Sequence, residues 1–123
     1  MTPKEFLISY VEKFNAGDIG SLINLYETDA CFVSQEGDVV KGIENIRQIL
    51  QSFIAMNGKL DSKVNGVIQA SDVALVNTEW SFNGTGAEGK SITINGKATD
   101  ILRQESGGGW RIVIDNPWGT NLH

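Results

Sequence analysis

The chain has a single histidine and a single cysteine in 123 residues, and both shortages exclude classes of site. A Ser-His-Asp triad, a Cys-His pair or a zinc site with two histidines needs an internal histidine, whereas His123 is the last residue and is predicted to be solvated. Cys31 alone can form neither an internal disulfide nor a multi-cysteine metal site. Acid–base chemistry would therefore come from carboxylate, tyrosine or lysine side chains, and we expect no metal and no cofactor.

Long hydrophobic runs and basic clusters are also missing. The longest apolar runs are only a few residues, and the opening MTPKEF has no signal-peptide core, so we expect a cytoplasmic location. Fifteen acidic and ten basic residues give a net charge of −5, which disfavours nucleic acid and anionic membranes as partners. The length predicts one domain, residues 1–123, with a core of its own.

The first half of the sequence has helical periodicity. Residues 2–5 form a capping-box pattern with proline at the first helical position, which predicts a helix over residues 3–16. A second helix is predicted from its cap at Asp18 through Tyr26. A third, opened by Gly42, has its apolar face over residues 43–54.

Beyond residue 59 the period changes to two, as in β-strands. We predict strands over residues 30–34, 39–41, 59–70, 73–82, 97–104 and 110–116. Three helices followed by long strands indicate an α+β fold, in which a curved, mainly antiparallel sheet forms a cone over the helices.

Two polar residues interrupt the inward faces of the last two strands. Alternation places Asp100 inward on its strand, and it places Asn116 at the end of an inward face that includes Ile114. The same alternation points Asp115 outward. An unpaired buried polar group costs about 1–3 kcal/mol, so these residues predict a pocket. Since no lysine or arginine shares that face, we expect the pKa of Asp100 to be raised.

Tyr10 lies on the apolar stripe of the first helix, so its hydroxyl needs a hydrogen-bond partner. We predict that Tyr10, Trp80, Asp100, Asn116 and Trp118 line one cavity, with Phe14, Ile49, Phe53 and Ile114 as its apolar wall. The alternative is a structural Asp100, satisfied by Tyr10 and Asn116.

Four segments carry a family resemblance through their order and spacing: SYVEKFNAGD, LYETDACFVSQEGDVVKGIENI, ATDILRQ and WRIVIDNPWG. Together they resemble the SnoaL-like and ketosteroid isomerase-like branch of the nuclear transport factor two-like superfamily. The resemblance implies a cystatin-like cone with a small-molecule pocket. It also implies a homodimer through the outer face of the sheet, where Leu75, Ile101 and Val113 are predicted to lie.

The resemblance further implies roles for three residues. In ketosteroid isomerases a tyrosine of the first helix and a protonated aspartic acid donate hydrogen bonds to the substrate oxyanion, and the matching positions are Tyr10 and Asp100. The position of the general base is held by Ser34, a neutral group with no histidine to activate it, and we expect Ser34 to be a substrate-binding residue. Glu36 lies nearby on a predicted turn, where we interpret it as a solvated carboxylate.

The predicted function is binding of a small apolar carbonyl or enol compound. Proton transfer of the isomerase or cyclase type, without a metal, would use Tyr10 and Asp100. The alternative is a non-catalytic ligand-binding or dimerisation module of the same fold.

Overall fold

The structure, a computed structural model, describes residues 1–119; His123 and the prediction made for it lie outside the described residues. The helices are α1 (Pro3–Asn15), α2 (Ile19–Ile23) and α3 (Ile43–Ile54). The strands are β1 (Tyr26–Val33), β2 (Val39–Lys41), β3 (Lys59–Ala70), β4 (Val73–Thr85), β5 (Ser91–Gln104) and β6 (Trp110–Asp115), with a 3-10 turn at Ala87–Gly89 between β4 and β5.

The six strands form one curved sheet in the order β2-β1-β6-β5-β4-β3. Neighbouring strands are antiparallel except for β1 and β6, which run parallel. The predicted α+β fold with a mainly antiparallel sheet is therefore confirmed. The parallel pair sets Tyr26 opposite Ile112 and Phe32 opposite Asp115, so residues from both ends of the chain meet in the sheet.

The first helix begins where its capping box predicts. The Thr2 Oγ1 accepts a hydrogen bond from the Glu5 amide at 3.1 Å, and the Thr2 amide donates to the Glu5 carboxylate at 2.9 Å. The second helix is shorter than predicted, and its extension to Tyr26 is wrong. The Ile112 amide donates to the Leu25 carbonyl at 2.8 Å, so pairing with β6 draws this segment into β1.

The helices cover the concave face of the sheet, and the core lies between them. Its buried helical residues are Phe6, Leu7, Phe14, Leu22, Ile23, Ile46 and Leu50. Its buried strand residues include Tyr26, Phe32, Val76, Phe82, Leu102, Trp110 and Ile112. Within residues 1–119, no helix is long and apolar enough to cross a membrane.

A β-bulge in β6 reverses the alternation on which part of the sequence prediction rested. Ile101 pairs with Ile114 but Leu102 pairs with Ile112, which leaves Val113 as an extra residue. Beyond the bulge Asp115 turns inward and is 8% exposed, while Ile114 turns outward and is 37% exposed. The predicted orientations of both residues are therefore wrong.

Candidate functional site

A cavity of about 330 Å³ opens inside the cone and is called the inner cavity below. Its lining includes these residues predicted for the site: Tyr10, Phe14, Ser34, Ile49, Phe53, Trp80, Asp100 and Trp118. Its lining also includes Asp115, which the sequence analysis pointed outward. The geometry brings these side chains together, while their roles in binding or catalysis stay predictions.

Two of the predicted residues do not line the inner cavity. Ile114 faces the outside of the sheet beyond the bulge. Asn116 is buried, but its Nδ2 donates to the Gly119 carbonyl at 2.7 Å, and its Oδ1 has no hydrogen-bond partner among residues 1–119. Its backbone contributes instead, since the Asn116 amide donates to Asp100 Oδ1 at 2.9 Å.

A chain of hydroxyl groups links α1 to the end of β6. The hydroxyl oxygens of Tyr10 and Tyr26 are 2.7 Å apart. The Tyr26 hydroxyl then donates to Asp115 Oδ2 at 2.6 Å. Tyr26 is fully buried, so the hydrogen bond satisfies both groups away from water.

Asp100 and Asp115, called the carboxyl pair below, are hydrogen-bonded to each other at the polar end of the inner cavity. Burial raises the pKa of Asp100 well above its ordinary value, and the charge and hydrogen bond of Asp115 raise it further. Burial also raises the pKa of Asp115, but hydrogen bonds donated by Tyr26 and Asp100 oppose that effect. Two adjacent carboxylates resist ionising together, so the pair holds one proton across a range of pH, mainly on Asp100.

The two tyrosines remain protonated beside the carboxyl pair. Burial raises the pKa of Tyr10 and of Tyr26 well above the ordinary value of 10.0, and the charge of Asp115 raises both further. No lysine, arginine or histidine lines the inner cavity within the described residues. In the same part of the chain, no cluster of three or more His, Cys, Asp or Glu side chains is placed to hold a metal ion.

Ser34 closes a turn at the edge of the inner cavity. Its Oγ accepts a hydrogen bond from the Asp38 amide at 3.1 Å, and its carbonyl accepts one from the Gly37 amide at 2.9 Å. Glu36, on the same turn, is exposed and also lines the cavity. The position that the family resemblance gives to a general base thus serves the backbone of the β1–β2 connection.

Two tryptophans form one wall of the inner cavity. The Trp80 Nε1 donates to the Pro117 carbonyl at 2.8 Å, and the Trp80 and Trp118 rings meet edge to face with centroids 5.2 Å apart. Gly96, opposite Trp80 in β5, leaves the space that the indole fills, because a Cβ there would lie 2.6 Å from the ring.

A second, more open depression lies across β3, β4 and β5, with a volume of about 560 Å³. Its charged side chains, Asp61, Lys63, Glu79 and Lys97, are all exposed. Exposed charges of this kind are ordinary on a protein surface. The buried carboxyl groups, Asp100 and Asp115, line the inner cavity instead.

Sequence reasoning missed Tyr26 and Asp115. Tyr26 was assigned to the second helix, and strict alternation turned Asp115 outward. The doublet Asp115-Asn116 before Pro117 was the available signal, because a proline at a strand end often accompanies irregular pairing.

Comparisons with solved structures give the same fold at low sequence identity. A ketosteroid isomerase-like protein from Erwinia carotovora atroseptica is 20% identical with a TM-score of 0.78, over 91% of this chain and 88% of that chain. A nuclear transport factor two-like protein with a cystatin-like fold from Novosphingobium aromaticivorans is 17% identical with a TM-score of 0.73, over 90% of this chain and 75% of that chain. No curated protein matches the chain.

A family model described as the SnoaL-like domain matches residues 7–113, from the first turns of α1 to the middle of β6. The match contains α2, α3 and five of the six strands in full, and most of α1. The chain therefore belongs to the family of SnoaL-like domains.

Proposed function

We propose that this protein binds a small, mainly apolar carbonyl or enol compound in the inner cavity and transfers a proton at its polar group. The observation that carries the proposal is the carboxyl pair, two buried acids in contact at the polar end of a mainly apolar cavity. The pair supplies the second titratable group that the sequence did not reveal. Tyr10 lines the same cavity, where its hydroxyl would contact the oxygen of the bound ligand.

The carboxyl pair has the properties that proton transfer needs. With one proton between them, Asp115 acts as the base while Asp100 holds a proton that it can donate. Raised pKa values bring such groups closer to neutral pH, where a general acid or base is most effective. In an isomerisation, the C–H bond beside the carbonyl breaks and its proton moves to the ionised Asp115, while Asp100 gives its proton to the carbonyl oxygen. A neutral enol forms, no free oxyanion has to be bound, and the carboxyl pair still holds one proton.

The shape and lining of the inner cavity limit the ligand. Its volume of about 330 Å³ is at the lower end of the roughly 300–1,000 Å³ typical of small-molecule sites. Aromatic and aliphatic side chains from α1, α3 and β4 form most of the wall. A ligand of one or two rings with a single polar group matches this division between an apolar wall and a polar end.

Solvent exchange at carbon tests the proposal. In deuterium oxide, the protein should accelerate hydrogen exchange next to the carbonyl of 2-tetralone, measured by proton NMR. Asp115→Asn should lower that acceleration about 100-fold, the usual scale of a general base, and Asp72→Asn, an equal charge change on an exposed turn, should leave it intact. If the ketone binds but its exchange matches that in buffer, the protein is a binding module without turnover.

The non-catalytic alternative has one observation in its favour. Ser34 stands where isomerases of the resembling branch have their base, and its hydroxyl is held by the Asp38 amide. A relative that had lost the usual reaction would keep its cavity and lose that carboxylate. The carboxyl pair favours the enzyme because it places a proton acceptor and a proton donor side by side in the cavity.

We also propose a homodimer through an outer row of four apolar residues, Ile68, Leu75, Ile101 and Ile114. Each is paired with the next across β3, β4, β5 and β6, so their side chains share the convex face. Ile68 is 67% exposed, and burying the row in a second copy would remove this apolar surface from water.

The flanks of the outer row suit a two-fold contact. On one side of the row, Arg103 Nε lies 2.9 Å from Glu27 Oε2 in an ion pair. On the other side, Glu79 of β4 lies opposite Lys97 of β5. Because both flanks carry both charges, a copy rotated about a two-fold axis can set opposite charges against each other.

The remaining sequence-based expectations stay proposals. They are a single domain over residues 1–123, a cytoplasmic location, and no nucleic-acid or membrane partner. The net charge of −5 supports the last of these.

A further inference from the structure

The hydrogen bonds at the polar end of the inner cavity have a fixed direction. A tyrosine hydroxyl has one proton to donate. Tyr26 donates its proton to Asp115 Oδ2 at 2.6 Å, so in the 2.7 Å contact with Tyr10 it must accept. The proton of Tyr10 therefore points at Tyr26, away from the cavity.

The opposite direction would require a proton on Asp115 Oδ2, and the geometry argues against it. Burial and the neighbouring carboxylate raise the pKa of Asp100 well above its ordinary value, while hydrogen bonds oppose the rise at Asp115, so the proton stays on Asp100 and Asp115 is the ionised member of the carboxyl pair. A length of 2.6 Å falls in the range of about 2.5–2.7 Å typical of a hydroxyl bound to a carboxylate. Asp100 Oδ1 already accepts a hydrogen bond from the Asn116 amide.

All the donors at this end are thus directed within the protein. Tyr10 presents lone pairs to the inner cavity, and the proton of Asp100 is given to Asp115. The titratable groups that line the inner cavity are Tyr10 from α1, the carboxyl pair from β5 and β6, and Glu36 at the β1–β2 turn; α3 and β4 add none. Tyr26 lies behind them, in contact with Tyr10 and Asp115. The polar end is therefore rich in acceptors and carries a negative charge without a cation.

We propose that this site recognises a hydroxyl donor, a neutral enol or phenol whose O–H is donated to the oxygen of Tyr10, and that it excludes the corresponding oxyanion. The inference rests on the proposed function and specifies its ligand. It differs from the oxyanion-binding role that the family resemblance implies for Tyr10 and Asp100. In that role both groups donate to the ligand, whereas here Tyr10 donates to Tyr26 and Asp100 donates to Asp115.

The probe that tests this proposal is 4-nitrophenol, which ionises near neutral pH and is yellow only as the anion. Binding should bleach the yellow colour, because the protein selects the neutral form. Above the pKa of the probe, the apparent Kd should rise about tenfold per pH unit, because the neutral form that the protein binds becomes a small fraction of the free probe. Bleaching should be retained in Asp72→Asn.

A matched ligand distinguishes the contribution of the probe's O–H group to binding from that of its aromatic ring. 4-Nitroanisole has the same ring and no proton to donate, so it should bind about three- to tenfold more weakly than neutral 4-nitrophenol. Tyr10→Phe, which removes the acceptor, should bring the two affinities together. Asp115→Asn should shift the bound probe toward its yellow form, since the negative charge is gone.

The outcomes distinguish this inference from the function on which it rests. A bound probe with the spectrum of the anion would overturn the inference and leave a binding site in place. Equal affinities for 4-nitrophenol and 4-nitroanisole in the unmodified protein would do the same. Failure of both compounds and of 2-tetralone to bind would overturn the proposed function together with the inference.

Discussion

Tyr26, the first residue of β1, donates a 2.6 Å hydrogen bond to Asp115, the last residue of β6, across 89 positions of sequence. Tyr26 is fully buried and Asp115 is 8% exposed, so water does not compete for either group. The bond joins the only parallel strand pair among the described residues to the polar end of the inner cavity. It therefore serves both the fold and the site.

Replacing Tyr26 with phenylalanine should be costly. The change leaves a buried carboxylate without one of its donors, and we expect the free energy of unfolding to fall by about 1–3 kcal/mol. Tyr10→Phe is the matched control, because Tyr26 still donates to Asp115, and it should cost only about 0.5–1.5 kcal/mol. Urea unfolding at neutral pH measures both. Equal losses would mean that Tyr26 and Tyr10 are interchangeable and that the direction of donation is wrong.

The contribution of Asp100 to the stability of the protein should fall as pH rises. Asp100 has an ordinary pKa of 3.8 when unfolded and a raised pKa when folded, so above pH 3.8 the folded state retains a proton that the unfolded state has lost. The stabilising contribution of Asp100 is fully present below the pKa that it has in the unfolded state. It should then decrease by about 1.4 kcal/mol per pH unit until the folded pKa is passed.

Asp100→Asn should remove this decrease. Its amide can donate to Asp115 and accept from the Asn116 amide, as the protonated acid does, but it does not titrate. Unfolding free energies from pH 4 to pH 8 compare the variant with the unmodified protein, and Asp72→Asn serves as an exposed control. Parallel curves for all three proteins would show that Asp100 titrates like a free aspartate.

Periodicity in the sequence predicted the fold because each element keeps a regular apolar pattern. The capping box at Thr2 and Glu5 set the start of α1, and the switch to a period of two near Lys59 set the start of the sheet. Tyr10 and Asp100 were brought to one cavity because both lie on stretches where the pattern is unbroken.

The missing parts of the site depend on long-range pairing, which a local pattern does not contain. The bulge at Val113 arises where β6 must pair with β5 on one side and β1 on the other, and it alone turns Asp115 inward. Tyr26 has the spacing of a helical residue until its neighbour Leu25 pairs with Ile112. The two residues that complete the site were therefore the two whose environment is set by the parallel strand pair.

The position of the Trp80 ring in the wall of the inner cavity should depend on the absence of a Cβ at Gly96. An added Cβ in Gly96→Ala would lie 2.6 Å from the indole, so the ring must shift and weaken its hydrogen bond to Pro117. Overpacking of this kind costs about 1–3 kcal/mol. Gly66→Ala in β3, where a Cβ meets nothing within 4 Å, is the matched control.

Two measurements follow the Gly96→Ala change. Urea unfolding should show the loss of stability, and tryptophan fluorescence should show weaker binding of 4-nitrophenol than in Gly66→Ala. If both glycine variants bind the probe with the same affinity, the position of the Trp80 ring does not shape the inner cavity.

The proposed homodimer can be tested by a single substitution that introduces a charge into the outer row. Ile101 lies inside the row, between Leu75 and Ile114, so Ile101→Lys would set a charge at the centre of the proposed interface. An unpaired charge buried there should dissociate the two copies. Ile8→Lys is the control, because Ile8 is 52% exposed on α1, away from the sheet.

Light scattering at micromolar concentration gives the mass directly. The unmodified protein and Ile8→Lys should have twice the chain mass of 13.4 kDa, and Ile101→Lys should have the mass of one chain. Circular dichroism checks that the variant remains folded, which is expected since Ile101 faces away from the core. A monomeric mass for the unmodified protein would contradict the homodimer, and a dimeric mass for Ile101→Lys would move the interface to another surface.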